Sequence, residues 1–162
     1  TGNINLSFLT CIFLLCTNHT RGESNLGYKG IRMILLIGGV LGFISVAFGA
    51  YAEHGLREVV SEEHFRFLMT AVRYNQVHAV VVTAIGLGIA SGIEPLQSSL
   101  LHWSGKLFIL GTALFSFSIY LSVVLALPQL VNITPIGGTI IMLAWILLAM
   151  SGYKAVSRNN AN

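Results

Sequence analysis

From residue 107 to residue 153 the chain runs for 47 residues without one Asp, Glu, Lys, Arg or His. A water-soluble globule cannot absorb such a run, because its surface must be covered largely by polar groups. A helix needs only about 20 apolar residues to cross a hydrocarbon core, so 47 exceed one crossing. The run is interrupted by LPQLVNITP at residues 127–135, which divides it into two spans, residues 107–127 and 133–152, joined by a tight turn. Pro135 is tolerated in the first turn of the fourth helix, where its missing N–H has no intrahelical partner in any case. Composition agrees: 9% of residues are charged, against about 25% in ordinary soluble domains, and the mean hydropathy is +0.77. All six acidic residues are glutamates. These features argue against a soluble enzyme and for an integral membrane protein.

Two further spans precede the run. Residues 33–52, MILLIGGVLGFISVAFGAYA, are 20 residues without charge, about 30 Å as a helix. Residues 74–93, YNQVHAVVVTAIGLGIASGI, are also free of Asp, Glu, Lys and Arg and end before Glu94 and Pro95. Between them, residues 53–73 hold four of the six acidic and three of the nine basic side chains. Ser61 suits an N-cap, with Glu62 and Glu63 in the turn where the helix dipole favours negative charge. His64 stands where a full capping box would place Glu or Gln. Phe65, Leu68, Met69 and Val72 form an apolar stripe, so the segment reads as an amphipathic helix at the membrane interface, running on into the second span. The predicted fold is an all-α membrane protein, a four-transmembrane-helix up-down bundle with an amphipathic helix between spans one and two.

Residues 33–155 form the expected membrane domain and 156–162 a short polar tail. Residues 1–32 read as an N-terminal extension outside the core. Residues 4–16 are apolar for 13 residues, too few to span. An upstream extension or a peripheral helix fits better than a cleaved signal, because no basic segment precedes the run.

Lipid gives helices no hydrophobic reason to associate, so contacts rely on small residues. Gly38, Gly42, Ser45 and Gly49 recur on one face of the first span; Ala84, Gly88 and Gly92 do so on the second. Counting Lys and Arg places six on the side of both termini and the second connection and three on the other. The excess predicts cytoplasmic termini. The basic residues are scattered singly, which does not suit nucleic acid. The only cysteines, Cys11 and Cys16, define no disulfide framework or metal site.

Polar groups at membrane depth are costly and often functional. The candidates are His54, Arg73, Tyr74 and His78, with Glu53, Asn75 and Gln76 beside them. Residue by residue, Arg73 and Tyr74 also suit interfacial anchors, and His78 a hydrogen bond within the bundle. His54, His64 and His78 lack compact ligand spacing, so no metal and no cofactor is expected. Glu53 and Arg57 are placed for an exposed i,i+4 pair. Ser116, Ser118 and Tyr120 read as helix-packing groups.

The stretches GAYAEHGL (49–56), TAVRYNQVHAV (70–80), LFSFSIYL (114–121) and ITPIGGTIIMLAWILLA (133–149) occur in the order of a known family. The chain resembles domain-of-unknown-function family 423, small bacterial inner-membrane proteins of the YgdD/YwdK type, similar to eukaryotic transmembrane protein 256. The resemblance covers residues 33–155 and implies a multi-span protein of the bacterial inner membrane, but supplies no reaction. His54, Gly55, Arg73, Tyr74 and His78 match its motifs. Where the family tends to have an aromatic residue before the histidine, this chain has Val77.

The first functional expectation is therefore a non-enzymatic membrane protein whose bundle associates with itself or a membrane complex through small-residue faces. The alternative is a small transport or proton-linked protein with a polar entrance at His54, Arg73 and His78.

Overall fold

In a computed structural model, the backbone of residues 25–93 and 96–159 is described, with side chains for 33–93 and 96–157. The described residues are helical with no strand. Helix α1 is Asn25–Tyr51 and continues through a π-helical turn, Ala52–Leu56. Helix α2 is Glu62–Ala90. Helix α3, Ser99–Thr112, passes through a second π-helical turn, Ala113–Phe117, into α4, Ser118–Val124. A 3-10 segment, Pro128–Ile133, leads into α5, Thr134–Asn159.

Three helical stretches are long and apolar enough to cross a membrane: Met33–Leu56, Ser99–Val124 and Pro128–Ser157. Helix α2 is long enough, at 29 residues, but Tyr74, Asn75, Gln76 and His78 dilute its apolar half. The second of these stretches begins eight residues before the expected 107, because Ser98 caps α3 by accepting from the Leu101 N–H at 3.2 Å. Lys106, charged and within the stretch, lies over the Trp103 ring at 4.8 Å. Helix α1 starts at Asn25, inside the segment that the sequence suggests is an extension; the expectations for residues 1–24 and for Glu94 and Pro95 lie outside the described residues.

The amphipathic segment opens α2 and is continuous with the rest of the helix, as expected. Ser61 caps α2, accepting from the His64 N–H at 3.3 Å while His64 Nδ1 lies 3.1 Å from the same hydroxyl, so the histidine serves the cap that lacks a glutamate. The helix then runs unbroken to Ala90. Its stripe turns inward: Leu68 and Val72 are buried with Ala52, Ile119 and Tyr120, and Phe65 and Met69 pack against them.

Glycines set the helix distances. A Cβ on Gly38 would lie 2.9 Å from the Thr83 backbone nitrogen, one on Gly49 3.3 Å from Val72, and one on Gly86 3.0 Å from the Leu35 backbone. Gly42 faces Ala79 more loosely, at 3.9 Å. Residue numbers rise on α1 as they fall on α2, so these helices are antiparallel, and the small face of α1 is spent on Thr83, Ala79 and Val72 of α2. Gly88 meets Leu96 at 3.6 Å in the following connection. Among the described residues nothing lies within 4 Å of a Cβ on Gly92, so no packing stripe extends to it there, and its φ of +70° ends α2 in a left-handed turn that glycine adopts without a Cβ clash.

Helices α3 and α5 are likewise antiparallel. Gly111 and Gly137 meet at their crossing, where a Cβ on Gly137 would lie 2.9 Å from the Gly111 carbonyl oxygen. Serines join the same pair of helices: Ser104 Oγ donates to the Ala144 carbonyl at 2.9 Å, and Ser98 and Ser151 hydroxyls are 2.6 Å apart. Ser118 meets Thr134 at 2.8 Å.

Candidate functional site

Two apolar clusters fill the interior. One holds Ile34, Val82, Ile85, Ile89, Leu101, Phe108, Ile141 and Ala144; the other holds Ala52, Leu68, Ala71, Val72, Ile119 and Tyr120. Between them lies a polar layer. Helix α1 contributes Ser45, α2 contributes Asn75 and His78, and α3 with its π-helical turn contributes Thr112 and Ser116, all buried.

The register follows from direct contacts. Gly42 faces Ala79 and Gly49 faces Val72, which puts Ser45 level with Asn75. The Ser116 hydroxyl donates to the Ala71 carbonyl at 3.0 Å; one turn along α2 and one turn back along α3 puts Asn75 level with Thr112. Ser45 and Thr112 lie halfway along the membrane-length stretches Met33–Leu56 and Ser99–Val124. The polar layer is thus at the mid-height of the bundle.

Local contacts orient several members of the layer. Ser45 Oγ donates to the Gly42 carbonyl at 2.7 Å, a back-bond typical of serine inside helices. His78 Nδ1 lies 2.7 Å from the Tyr74 carbonyl. A carbonyl only accepts, so Nδ1 carries the proton and Nε2 of the neutral ring is left as an acceptor. The ring stacks on Phe108 with centroids at 5.5 Å, while Tyr74 lies tilted at 5.7 Å and Trp145 approaches edge-on at 6.3 Å. Tyr120 stacks on Phe48 at 3.9 Å, and its hydroxyl lies close to the Asn75 amide. Neither group makes a hydrogen bond of ordinary geometry: the amide nitrogen and oxygen of Asn75, the Thr112 hydroxyl and the Tyr120 hydroxyl are buried and unpaired among the described residues.

The candidates from sequence separate into two environments. His78 is in the polar layer. Tyr74, adjoining it, is 42% exposed and stacks on Phe115 at 4.4 Å. Arg73 is exposed on α2, and His54 is exposed in the first π-helical turn, beside the Glu53–Arg57 ion pair of 2.8 Å. Such an exposed pair contributes a few tenths of a kcal/mol. No group of three or more His, Cys, Asp or Glu side chains gathers to hold a metal among the described residues. Thr112 is absent from the sequence-derived candidates, although its i, i+4, i+8 spacing with Ser116 and Tyr120 is visible in the sequence.

The Asn75–Tyr120 relationship has a measurable consequence. Replacing Asn75 by Leu alone takes away the amide beside the buried Tyr120 hydroxyl, so that a contact weaker than an ordinary hydrogen bond is lost, and is expected to cost up to about 1 kcal/mol. Replacing both, as Asn75→Leu with Tyr120→Phe, removes the polar pair together and should recover most of that loss. A denaturant titration of the purified chain in mixed micelles reads the cycle. Additive single effects would show that the two groups do not interact.

A long helical bundle with three membrane-length apolar helices and a polar layer at mid-height defines a polytopic helical membrane protein. The family comparison agrees and makes the class specific. Residues 48–138 match the model of a family described as "Protein of unknown function (DUF423)". A UPF0382 membrane protein of Haemophilus influenzae is 34% identical over 116 residues, covering 72% of this chain and 90% of the relative. A UPF0382 membrane protein of Staphylococcus haemolyticus is 30% identical over 126 residues, 78% of this chain and 99% of the relative. The UPF0382 inner membrane protein YgdD of Escherichia coli K12 is 28% identical over 123 residues, with 76% and 91% covered. The chain belongs to the DUF423 family. No solved structure matches it. The matched segment, 48–138, contains both π-helical turns and, apart from Ser45, the whole polar layer.

Proposed function

We propose that this chain is a four-span, non-enzymatic protein of the bacterial inner membrane, with both termini cytoplasmic, that works as a subunit of a membrane assembly. The observation carrying this reading is Gln76. It is exposed on α2, next in sequence to Asn75 and therefore at the mid-height of the bundle, and its carboxamide makes no hydrogen bond among the described residues. In hydrocarbon an unpaired amide costs several kcal/mol, so a span carrying Gln76 outward calls for protein on that side. The inward polar groups Asn75 and His78 are already covered by α1 and α3. The small-residue face of α1, expected to make external contacts, is occupied within the chain at Gly38, Gly42 and Gly49 against α2, so α2's outer face takes that role.

Topology is tested by single cysteines at Val59 and Ile93, which are 79% and 55% exposed at opposite ends of α2, in a chain with Cys11 and Cys16 replaced by Ser. A membrane-impermeant maleimide is expected to label the two from opposite sides. Labelling from one side would remove the fourth span. A photo-crosslinking residue at Val77 should capture protein, whereas one at Phe43, 75% exposed on α1, should capture lipid. Lipid adducts alone at both would end the assembly reading.

The unpaired groups at Asn75, Thr112 and Tyr120 favour a second reading, a proton-linked pathway through the polar layer, entered past His54 and Arg73. Flux across liposomes that is lost in His78→Ala supports it; flux that is absent, or unchanged in that variant, rejects it.

A further inference from the structure

We propose that the partner on the outer face of α2 is a second copy of this chain, bound around a pair of Gln76 carboxamides. This rests on the four-span assembly reading and names its partner.

The exposed residues of α2 include Gln76, Val80, Ala84 and Leu87, at steps of four, four and three. That spacing keeps them on one face of the helix, along which a second helix can pack. The stripe narrows to Ala84 in its later half, where a small side chain lets two backbones approach. Gln76 stands at the start of this face, three residues after Arg73 and four before Val80.

The chemistry then selects the occupant. A carboxamide carries donors and acceptors together and is its own complement. Two copies inserted in the same orientation place identical residues at identical depth. Gln76 therefore meets Gln76 about a twofold axis normal to the membrane, and both amides are paired without any other polar residue. A different protein would need a polar group of its own at this depth and on this face. Arg73 lies three residues nearer the membrane surface, toward the end of α1, and its long stem carries the guanidinium further in that direction, away from the paired amides.

The test uses the full chain with Cys11 and Cys16 replaced by Ser, in native membranes. Val80→Cys, at a site 70% exposed, is expected to form an oxidative crosslinked homodimer, and Phe43→Cys, on the outer face of α1, is expected to remain uncrosslinked. In detergent, Gln76→Leu should raise the dimer dissociation constant roughly three- to tenfold, the range of one interhelical hydrogen bond, and Gln76→Asn should retain part of the affinity. The crosslink at Val80 is made with Gln76 intact, so poor folding of the leucine variant does not decide the outcome. No homodimer at Val80, equal crosslinking at both sites, or an unchanged dissociation constant in a folded Gln76→Leu protein overturns the proposal. If Val77 captures a different protein while Val80→Cys gives no homodimer, the assembly reading survives and the second copy does not. If Val59 and Ile93 label from one side, both fall together.

Discussion

Gly137→Ala is expected to destabilise the bundle as severely as the loss of a buried aromatic ring, although it adds a single methyl group. The new Cβ would lie 2.5 Å from the Phe115 backbone nitrogen and 2.9 Å from both the Phe115 Cα and the Gly111 carbonyl oxygen. These are backbone atoms, and no side-chain rotation relieves them. Either α5 moves away from α3, or the π-helical turn at Ala113–Phe117 reorganises. Overpacking of this kind costs about 1–3 kcal/mol where side chains can yield, and more where they cannot. The movement would also loosen the Ser104–Ala144 and Ser118–Thr134 hydrogen bonds on either side of the crossing. The expected result is a chain that accumulates poorly in membranes or unfolds at much lower denaturant in micelles. Gly39→Ala is the matched comparison, since among the described residues nothing lies within 4 Å of its Cβ position; alanine there should be neutral or stabilising by up to about 1 kcal/mol, from helix propensity. Equal behaviour of the two variants would show that the crossing is looser than these distances imply.

Phe108→Ala should have an effect of similar size by the opposite route. Phe108 is fully buried and joins three helices: its ring stacks on His78 of α2 at 5.5 Å and meets Trp145 of α5 edge-on at 5.0 Å. Truncating a buried phenylalanine costs about 3–5 kcal/mol in water-soluble cores, through a transfer part and a cavity part. In lipid the transfer part shrinks, because an unpacked helix is still in an apolar solvent. The cavity part remains, which places the expectation near the low end, about 3 kcal/mol. Removal of the ring also uncovers one face of His78 and should lower its ordering, visible as altered imidazole resonances. Phe43→Ala, on the 75% exposed outer face of α1, should change the unfolding midpoint little. If Phe108→Ala were equally mild, the core would be shown to collapse around the gap.

Much of the helix content is legible in hydropathy alone, because a backbone in hydrocarbon has few alternatives to the helix. The break near Leu127, the cap at Ser61 and the ion pair at Glu53 and Arg57 are legible too, each depending on neighbours within a few residues. Ser116 and Ser118 suggest packing groups by residue type alone, and they do bridge helices. Facing direction is what the sequence leaves open. The stripe of Phe65, Leu68, Met69 and Val72 has the same helical period whether it meets lipid or protein, and only the position of Tyr120 and Ala52 opposite it decides between them. Gly92 shares a four-residue spacing with Gly88, yet the left-handed turn at the end of α2 gives it another role. The two π-helical turns carry no residue pattern that sets them apart from the α-helices they continue.

The candidate site divides in the same way. Its residue types are apparent, since polar groups at membrane depth stand out against apolar neighbours, and Tyr74, Asn75, Gln76 and His78 are consecutive or nearly so. Their partition is not. Asn75 and His78 point into the bundle and Gln76 points out of it, because a helix turns about 100° per residue and adjacent side chains diverge.

The sequence by itself determined that this is a helical membrane protein, where its apolar stretches break, and which polar residues lie inside them, because each follows from the local cost of placing a given side chain or backbone in hydrocarbon. Only the tertiary structure decided that the glycine faces are used within the chain, that Asn75, His78, Thr112 and Ser116 from two helices meet Ser45 of a third in one layer, and that Gln76 is left outside it. Those outcomes depend on the register between helices distant in sequence, which is set by backbone contacts at Gly38, Gly86, Gly111 and Gly137 that no local pattern contains.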